Sequence, residues 1–342
     1  MVKTAIIGCG RISKKHFECI ESAKGFSLVG VADLDAIKKT RAATLNKTFG
    51  YLFYEDMIKE RRPELVAICT EAGFHSKIAC EVMNLGCDVL VEKPLALTIE
   101  DADSMVACSA TTGRKLFVMK QNRFNIPVQR MLRVLDSGNF GKLVSASVRV
   151  RWCRRQDYFD MDRWRGTWKD DGGVIASQAC HHVDLLQRVL GPIDEVMCHT
   201  TTRLLDIPVE DTAVAIWKAK SGALGILEAT NAARPKDLEG SISVLGEKGT
   251  VVIEGFAVNK LKTWEFEGET NAEECSENPP NIYGFGHKRY YEHIARVYEG
   301  LEKPIVDGNE ARKTVRLFNA MYHSVECGKW VKVDEHITKC GR

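Results

Sequence analysis

Long apolar runs are missing. No stretch of the 342-residue chain approaches the roughly 18 apolar residues that a membrane-spanning helix needs. The apolar start, Met1-Val2-Lys3-Thr4-Ala5-Ile6-Ile7-Gly8, is far too short for a signal peptide and runs straight into a glycine motif. An excess of one charge is also missing: 48 Lys+Arg stand against 46 Asp+Glu, a net +2. That excludes a whole-chain basic footprint for nucleic acid, and neither a nucleic acid nor a membrane is expected as a partner. The 12 cysteines contain no C-x-x-C and no regular spacing. Several, such as Cys69 in Val66-Ala67-Ile68-Cys69, lie inside apolar runs. They fit small buried hydrophobes in a reduced, cytoplasmic setting better than a disulfide framework. H-E-x-x-H and G-x-S-x-G do not occur, and the nine histidines do not cluster at ligand spacing, so no metal is expected.

What is present is ordinary globular material: 44% apolar and 27% charged residues, in a chain long enough for two domains. In the first third, short apolar runs (Thr4–Ile7, Ser27–Ala32, Leu65–Cys69, Val89–Val91, Leu116–Met119) alternate with helical periodicity around 13–24, 36–45, 75–85 and 99–111. That alternation predicts a doubly wound parallel sheet covered on both faces. Thr98 is placed to cap a helix whose first turn carries Glu100 and Asp101, and Gly113 to end it. The boundary is placed at 121, giving a nucleotide-binding domain over 1–121 and a second domain over 122–342.

From about 143 the period changes to two. Val144, Ala146, Val148, Val150 and Trp152 interleave with Ser145, Ser147, Arg149 and Arg151, which describes a sheet with one buried and one polar face. Further strands are expected at Glu195–Thr202, Thr212–Lys218, Ala223–Thr230, Ser241–Leu245, Thr250–Ile253 and Leu261–Phe266. Helices follow near 287–300 and 310–327, and the last few residues read as a frayed tail. The reading is an α+β domain with an open, mainly antiparallel sheet, whose exposed face is available to a substrate or a partner subunit.

Three groups carry chemistry. Gly8-Cys9-Gly10-Arg11-Ile12-Ser13 follows a strand and opens a helix, where glycine allows a pyrophosphate close to the backbone and helix N–H groups meet it. Ser13 replaces the usual third glycine. Asp33 ends the second strand 23 residues after Gly10, suited to ribose hydroxyls and repulsive to a 2′-phosphate, which favours NAD. Next comes Glu92-Lys93-Pro94 at the end of a parallel strand, where Lys93 could hold a substrate oxygen. Finally, Gly172-Gly173 leads to a helix over Cys180–Leu190 capped by Gly191. His182 falls in its apolar arc and reads as a packed, hydrogen-bonded core histidine. His181 and Asp184 fall on its polar flank beside Arg188, and His181 is the candidate general base. A cationic, aromatic stretch over 149–169 could bind phosphate and stack on a base or sugar.

On these residues the chain resembles the Gfo/Idh/MocA oxidoreductase family along nearly its whole length. The resemblance implies a Rossmann domain, an open-sheet domain, a homo-oligomer (dimer or tetramer), and Lys93, His181 and Asp184 as the catalytic set. It also implies that Gly8, Cys9, Gly10, Arg11, Ile12, Asp33, Thr70, His75, Glu92, Lys93, Asn122, Trp164 and Arg165 surround the cofactor, although the family's usual Pro-Asn is missing near Thr70. Longer runs, including Lys120-Gln121-Asn122-Arg123, Arg163-Trp164-Arg165-Gly166-Thr167-Trp168 and Val209-Glu210-Asp211-Thr212, look like the branch that oxidises UDP-N-acetylglucosamine or its uronic acid at C3. That likeness implies a UDP-sugar substrate beside Arg123, Arg154, Arg163, Ser177, Arg234, Lys236 and Tyr283. At Ser177 the branch typically has Asn. A dehydrogenase of a free polyol such as inositol, a non-catalytic NAD-dependent sugar sensor and a redox-neutral NAD-dependent glycosidase are the alternatives.

Overall fold

The apolar runs of the first third become a parallel sheet because each is short, continuous and bounded by turn residues. The computed structural model describes residues 1–267, 275–279, 281 and 283–333; the expected frayed tail therefore lies mostly outside the described residues. The chain divides into one unit of Met1–Met119 with His287–Lys313 and another of Lys120–Gly286 with the segment from Thr314 onward.

The first unit contains β1 (Val2–Ile7), α1 (Ser13–Ser22), β2 (Phe26–Ala32), α2 (Ala36–Leu45), β3 (Gly50–Tyr51), α3 (Tyr54–Arg61), β4 (Leu65–Ile68), α4 (His75–Asn84), β5 (Asp88–Val91), α5 (Ile99–Thr112) and β6 (Leu116–Val118). The sheet order is β3-β2-β1-β4-β5-β6, all pairs parallel. Every residue of β4 and β5 is buried, as central strands require. The order reverses direction between β1 and β4, and ligands of doubly wound sheets collect at the carboxyl ends of strands flanking such a point. Helix ends follow the sequence signals. Thr98 Oγ1 accepts the Asp101 N–H at 3.2 Å, and Gly113 takes a left-handed φ of 69°. β3 and α3 escape the apolar pattern because β3 has two residues and α3 buries only Met57 and Ile58.

The second unit is built on α6 (Ile126–Asp136), β7 (Leu143–Arg151), α7 (Gln156–Asp160), α8 (Val174–Ser177), α9 (Cys180–Leu190), β8 (Ile193–Thr201), β9 (Thr212–Ala219), β10 (Leu224–Thr230), β11 (Glu239–Gly246), β12 (Gly249–Glu254) and β13 (Lys260–Phe266). The chain ends with α10 (Gly286–Tyr298), α11 (Gly308–Cys327) and β14 (Val331–Lys332). Eight strands pair in the order β13-β12-β11-β7-β10-β9-β8-β14, antiparallel except for β7 with β10. The α/β plus α+β architecture is the one that the change of period predicts.

Two expectations need correction. The second face of the large sheet is not uniformly polar: Val214, Ile216, Leu224, Ile226 and Leu245 are exposed on it, and Ile226 stands directly opposite Ile216. Polar residues of β7 and β11 cover only part of that face, where Arg151 pairs with Glu228 (2.7 Å) and Glu239 (3.3 Å). Helix α9 has no polar flank in the ordinary sense, since every residue but Arg188 is buried.

Candidate active site

In the first unit, the carboxyl ends of β1, β2, β4 and β5 bring together the dinucleotide motif, Asp33, the Thr70 loop and Lys93. Gly8 has φ 90° and donates its N–H to Ala32 O at 2.9 Å. A Cβ there would lie 2.8 Å from the Cys69 carbonyl and 2.9 Å from Thr70 N, so this first glycine is required by the protein's own packing. Gly10 differs: a Cβ on it would meet no protein atom within 4 Å. Its lack of a side chain therefore leaves space beside the N-terminus of α1, the cradle that a pyrophosphate fills. Ser13, at the third glycine position, is buried and donates its hydroxyl to Gly10 O at 2.7 Å, locking the loop. Arg11 is exposed, and Ile12 is half-buried at the start of α1. Asp33 is held by two backbone donors, Cys9 N–H to Oδ2 (2.7 Å) and Asp35 N–H to Oδ1 (2.8 Å), leaving lone pairs on a half-exposed carboxylate. These residues fit a dinucleotide.

His75 is placed differently from a cofactor contact. It is buried, and its two ring nitrogens lie 2.9 Å from Pro94 O and 3.2 Å from Thr70 O. It thus ties the Thr70 loop to the turn that carries Lys93. Burial of the ring lowers its pKa although the two carbonyls favour the charged form, so the neutral ring donates to one carbonyl and packs against the other. Lys93 is half-buried at the end of β5, and Glu92 turns into the interior of the unit.

In the second unit, His181 lies in the first turn of α9, 5% exposed. Asp184, one turn on, is a buried anchor. Arg123 grips it with Nε at 2.6 Å and Nη2 at 2.9 Å, and the Thr314 hydroxyl donates at 3.2 Å. Lys120, also buried, places Nζ 3.7 Å from Asp184 and 3.3 Å from Cys180 Sγ. Burial raises the pKa of the Asp184 carboxyl, but the charges of Arg123 and Lys120 outweigh it and hold the group below the usual range. His182 is a core residue as expected, packed edge-to-face on Trp152 with centroids 5.8 Å apart. The hydrogen-bonded part of that expectation fails: neither ring nitrogen has a partner among the described residues, and burial pushes its pKa down to about 3.

The turn before α9 explains Gly173. A Cβ there would fall 1.7–2.1 Å from the Glu210 carboxylate, which is buried. That carboxylate accepts the Ile175 N–H (3.1 Å) and the Tyr322 hydroxyl (2.9 Å), and Glu210 O accepts the Val174 N–H (3.1 Å). Gly173 O in turn receives both the amide (2.9 Å) and the hydroxyl (2.9 Å) of Ser177. Val-Glu-Asp-Thr is therefore a scaffold motif for this turn.

Many cations of the 149–169 stretch are committed within the unit. Arg154 pairs with Asp237 (2.9 Å) and Arg165 with Asp162 (3.0 Å). The two guanidiniums alternate with Trp152, Tyr158 and Trp164 in a stack with spacings of 4.5–5.7 Å. Arg234 donates to the carbonyls of Asn231, Ala233 and Arg154. Arg163 and Lys236 are exposed. Gln121, Asn122 and Arg123 form a buried 3-10 turn, and Tyr283 is half-buried with its N–H on Asn281 Oδ1 (3.1 Å). Lys120, Glu210, His16, His287 and Tyr322 were not singled out by sequence reasoning. Lys120, Glu210 and His287 carried a signal, by sitting in family-like runs, the last of them Tyr283-Gly284-Phe285-Gly286-His287.

Residues 2–120 match an oxidoreductase family described by its NAD-binding Rossmann fold, and residues 128–252 match the GFO/IDH/MocA C-terminal domain. Two solved structures are similar from end to end. The WlbA dehydrogenase from Bordetella pertussis, in complex with NADH and UDP-GlcNAcA, is 34% identical, with 97% of this chain and 98% of that one covered and a TM-score of 0.89. The WlbA dehydrogenase from Chromobacterium violaceum, in the same kind of complex, is 38% identical over 97% and 95%, with a TM-score of 0.91. Myo-inositol 2-dehydrogenase from Thermotoga maritima is 22% identical over 98% of this chain and all of its own. The chain is an NAD-binding oxidoreductase. It belongs to the Gfo/Idh/MocA family.

Proposed function

We propose that this protein oxidises the C3 hydroxyl of UDP-N-acetylglucosaminuronic acid, or of a closely related UDP-N-acetylhexosamine, to the 3-keto sugar. The observation that carries the reading is the 34–38% identity, spread over almost the whole of each chain, to two dehydrogenases whose complexes hold NADH and UDP-GlcNAcA. Retention of Lys93 and His181 supports catalysis over a sensor role, because binding alone needs neither group. NAD, when bound, supplies the hydride acceptor.

In this reading His181 takes the proton of the reacting hydroxyl, and the Lys93 ammonium holds the oxygen as negative charge grows on it. Asp184 is not a proton carrier; clamped by Arg123, it fixes the pitch of α9 and so the placement of His181. Arg163 and Lys236, exposed cations, are the better partners for the diphosphate, whereas Arg154, Arg165 and Arg234 shape the loop. The exposed apolar face of the large sheet supports a homo-oligomer packed through it. Among the described residues no helix is long and apolar enough to cross a membrane.

The test is turnover of UDP-N-acetylglucosamine and its uronic acid side by side, with NADH absorbance as readout in the absence of any added oxidant, and with a 2-oxo acid added to drain reduced cofactor only in parallel reactions read by product mass. Mass spectrometry should show loss of two hydrogens, and borodeuteride reduction should return deuterium at C3. His181→Ala should cut turnover by about 10²–10⁴-fold. Saturable binding of the sugar nucleotide by NAD-loaded protein without any oxidation overturns the reading.

A further inference from the structure

Behind Lys93 lies a buried network that the proposed reaction leaves unused. Glu92 is 5% exposed, His287 2%, and His16 and Tyr291 are fully buried. The Tyr291 hydroxyl lies 2.7 Å from His16 Nδ1, and His16 Nε2 lies 2.9 Å from Glu92 Oε1. A single neutral tautomer of His16 satisfies both bonds, accepting from the tyrosine and donating to the carboxylate. His287 Nε2 approaches the same oxygen at 3.5 Å, and the two imidazoles meet edge to face with centroids 6.0 Å apart. The second oxygen, Oε2, accepts the backbone N–H of Lys93 at 3.1 Å. Burial penalises the Glu92 carboxylate, yet the hydrogen bonds from His16 and His287 outweigh it and hold the group well below the usual carboxylate range.

Three elements of the first unit meet on this carboxylate. Helix α1 carries His16, and its N-terminus follows the Gly8–Gly10 loop. The turn after β5 carries Lys93. Helix α10 carries His287 and Tyr291. With one oxygen on the imidazoles and the other on the Lys93 amide, Glu92 has its polar atoms directed into the fold, unlike the cofactor contact that the family resemblance implies for it. We infer that Glu92 is a positioning residue: it fixes the main chain of Lys93 against α1, so that the ammonium group is delivered to one place relative to the dinucleotide loop. The inference rests on the role proposed for Lys93. A charged acceptor suits the task, since it binds the amide more strongly than a neutral one and cannot rotate a donor toward it.

The experiment uses full-length protein with Glu92→Gln, His16→Gln and the double substitution, each confirmed folded by thermal unfolding. NAD affinity, read by protein fluorescence without any sugar, should stay within about threefold, because these side chains are buried and spend their polar atoms inside the unit. At saturating NAD, kcat should fall about 10–100-fold in Glu92→Gln with KM for the UDP-sugar within about threefold, the loss expected for a misaligned group. His16→Gln should lose part of this, and the double variant no more than Glu92→Gln alone, the coupling expected of one network. A large loss of NAD affinity with kcat retained would make Glu92 a dinucleotide ligand and overturn the inference. So would unchanged kcat in a destabilised protein, or additive losses. A readout without turnover separates this inference from the proposed reaction: the rate at which acetic anhydride labels Lys93, normalised to exposed Lys77 in peptide mass spectra. That ratio should change at least about threefold in Glu92→Gln; an unchanged ratio overturns the inference even if the natural substrate proves to be a different sugar.

Discussion

Gly173→Ala should be among the most damaging single-methyl additions in this protein. The backbone is not the reason. Gly173 has φ −87° and ψ −168°, which alanine adopts freely, and a stiffer unfolded chain alone would return about 0.4–1 kcal/mol to stability. The cost comes from the Glu210 carboxylate, which already occupies the site of the new methyl at 1.7–2.1 Å. It must leave a buried position and give up the Ile175 N–H and Tyr322 O–H, each worth about 1.5–3 kcal/mol to a charged acceptor. A net loss of about 3–5 kcal/mol follows. Urea unfolding followed by tryptophan fluorescence should show it as a lower midpoint at unchanged slope. The decisive comparison is a cycle with Glu210→Ala: in that background the methyl has room, and Gly173→Ala should cost less than about 1 kcal/mol. Equal costs in both backgrounds, or a wild-type cost below about 1 kcal/mol, would refute the reasoning.

Two further outcomes are expected. Asp33→Ala removes a carboxylate held toward the ribose by Cys9 and Asp35 N–H groups; NAD affinity should weaken about 10–100-fold in a fluorescence titration, and unchanged affinity would remove the ribose role. The depressed pKa of Asp184 has a definite sign: a carboxyl more acidic folded than unfolded contributes stability above its unfolded value, about pH 4, and loses it as pH falls through the folded value. Asp184→Asn should therefore cost about 3–5 kcal/mol at neutral pH, by leaving Arg123 and Lys120 buried without an anion, and should flatten the stability profile below about pH 4. A profile as steep as that of the wild type would assign the acid sensitivity to other carboxylates.

Much of the nucleotide-binding half could be read before any coordinates because its signals are local. Strand, glycine loop, helix and acid follow one another within Val2–Asp33, and each constrains the chain through its neighbours in sequence. Where signals were weak, elements were missed: β3 is two residues long, and α6 opens with a proline in its first turn and buries only Pro127, Val128 and Met131. The period of two in β7 correctly announced a sheet, yet it could not reveal that Val214, Ile216, Leu224 and Ile226 would align across β9 and β10 on the exposed face. That alignment is set by pairing register, which no single strand contains.

The same distinction separates what was legible in the site from what was not. Lys93 and His181 stood out because their flanks are distinctive. Their supports did not, because each bridges distant segments: Glu210 lies 37 positions beyond Gly173, Arg123 lies 61 before Asp184, and His287 comes from the far end of the chain to Glu92. For a related reason the sequence did not show that Arg154 and Arg165, expected beside the substrate and the cofactor, are paired with acids. A run of arginines in sequence says nothing of the acids that folding will bring to it, here Asp237 from 83 positions away as well as the adjacent Asp162. Asp184 shows the consequence most plainly: spacing alone made it a partner for the imidazole on its own helix, whereas two hydrogen bonds from one guanidinium claim it first. A carboxylate in the interior goes to the donors that offset its desolvation, and position along a helix is only a weak guide to which donors those are.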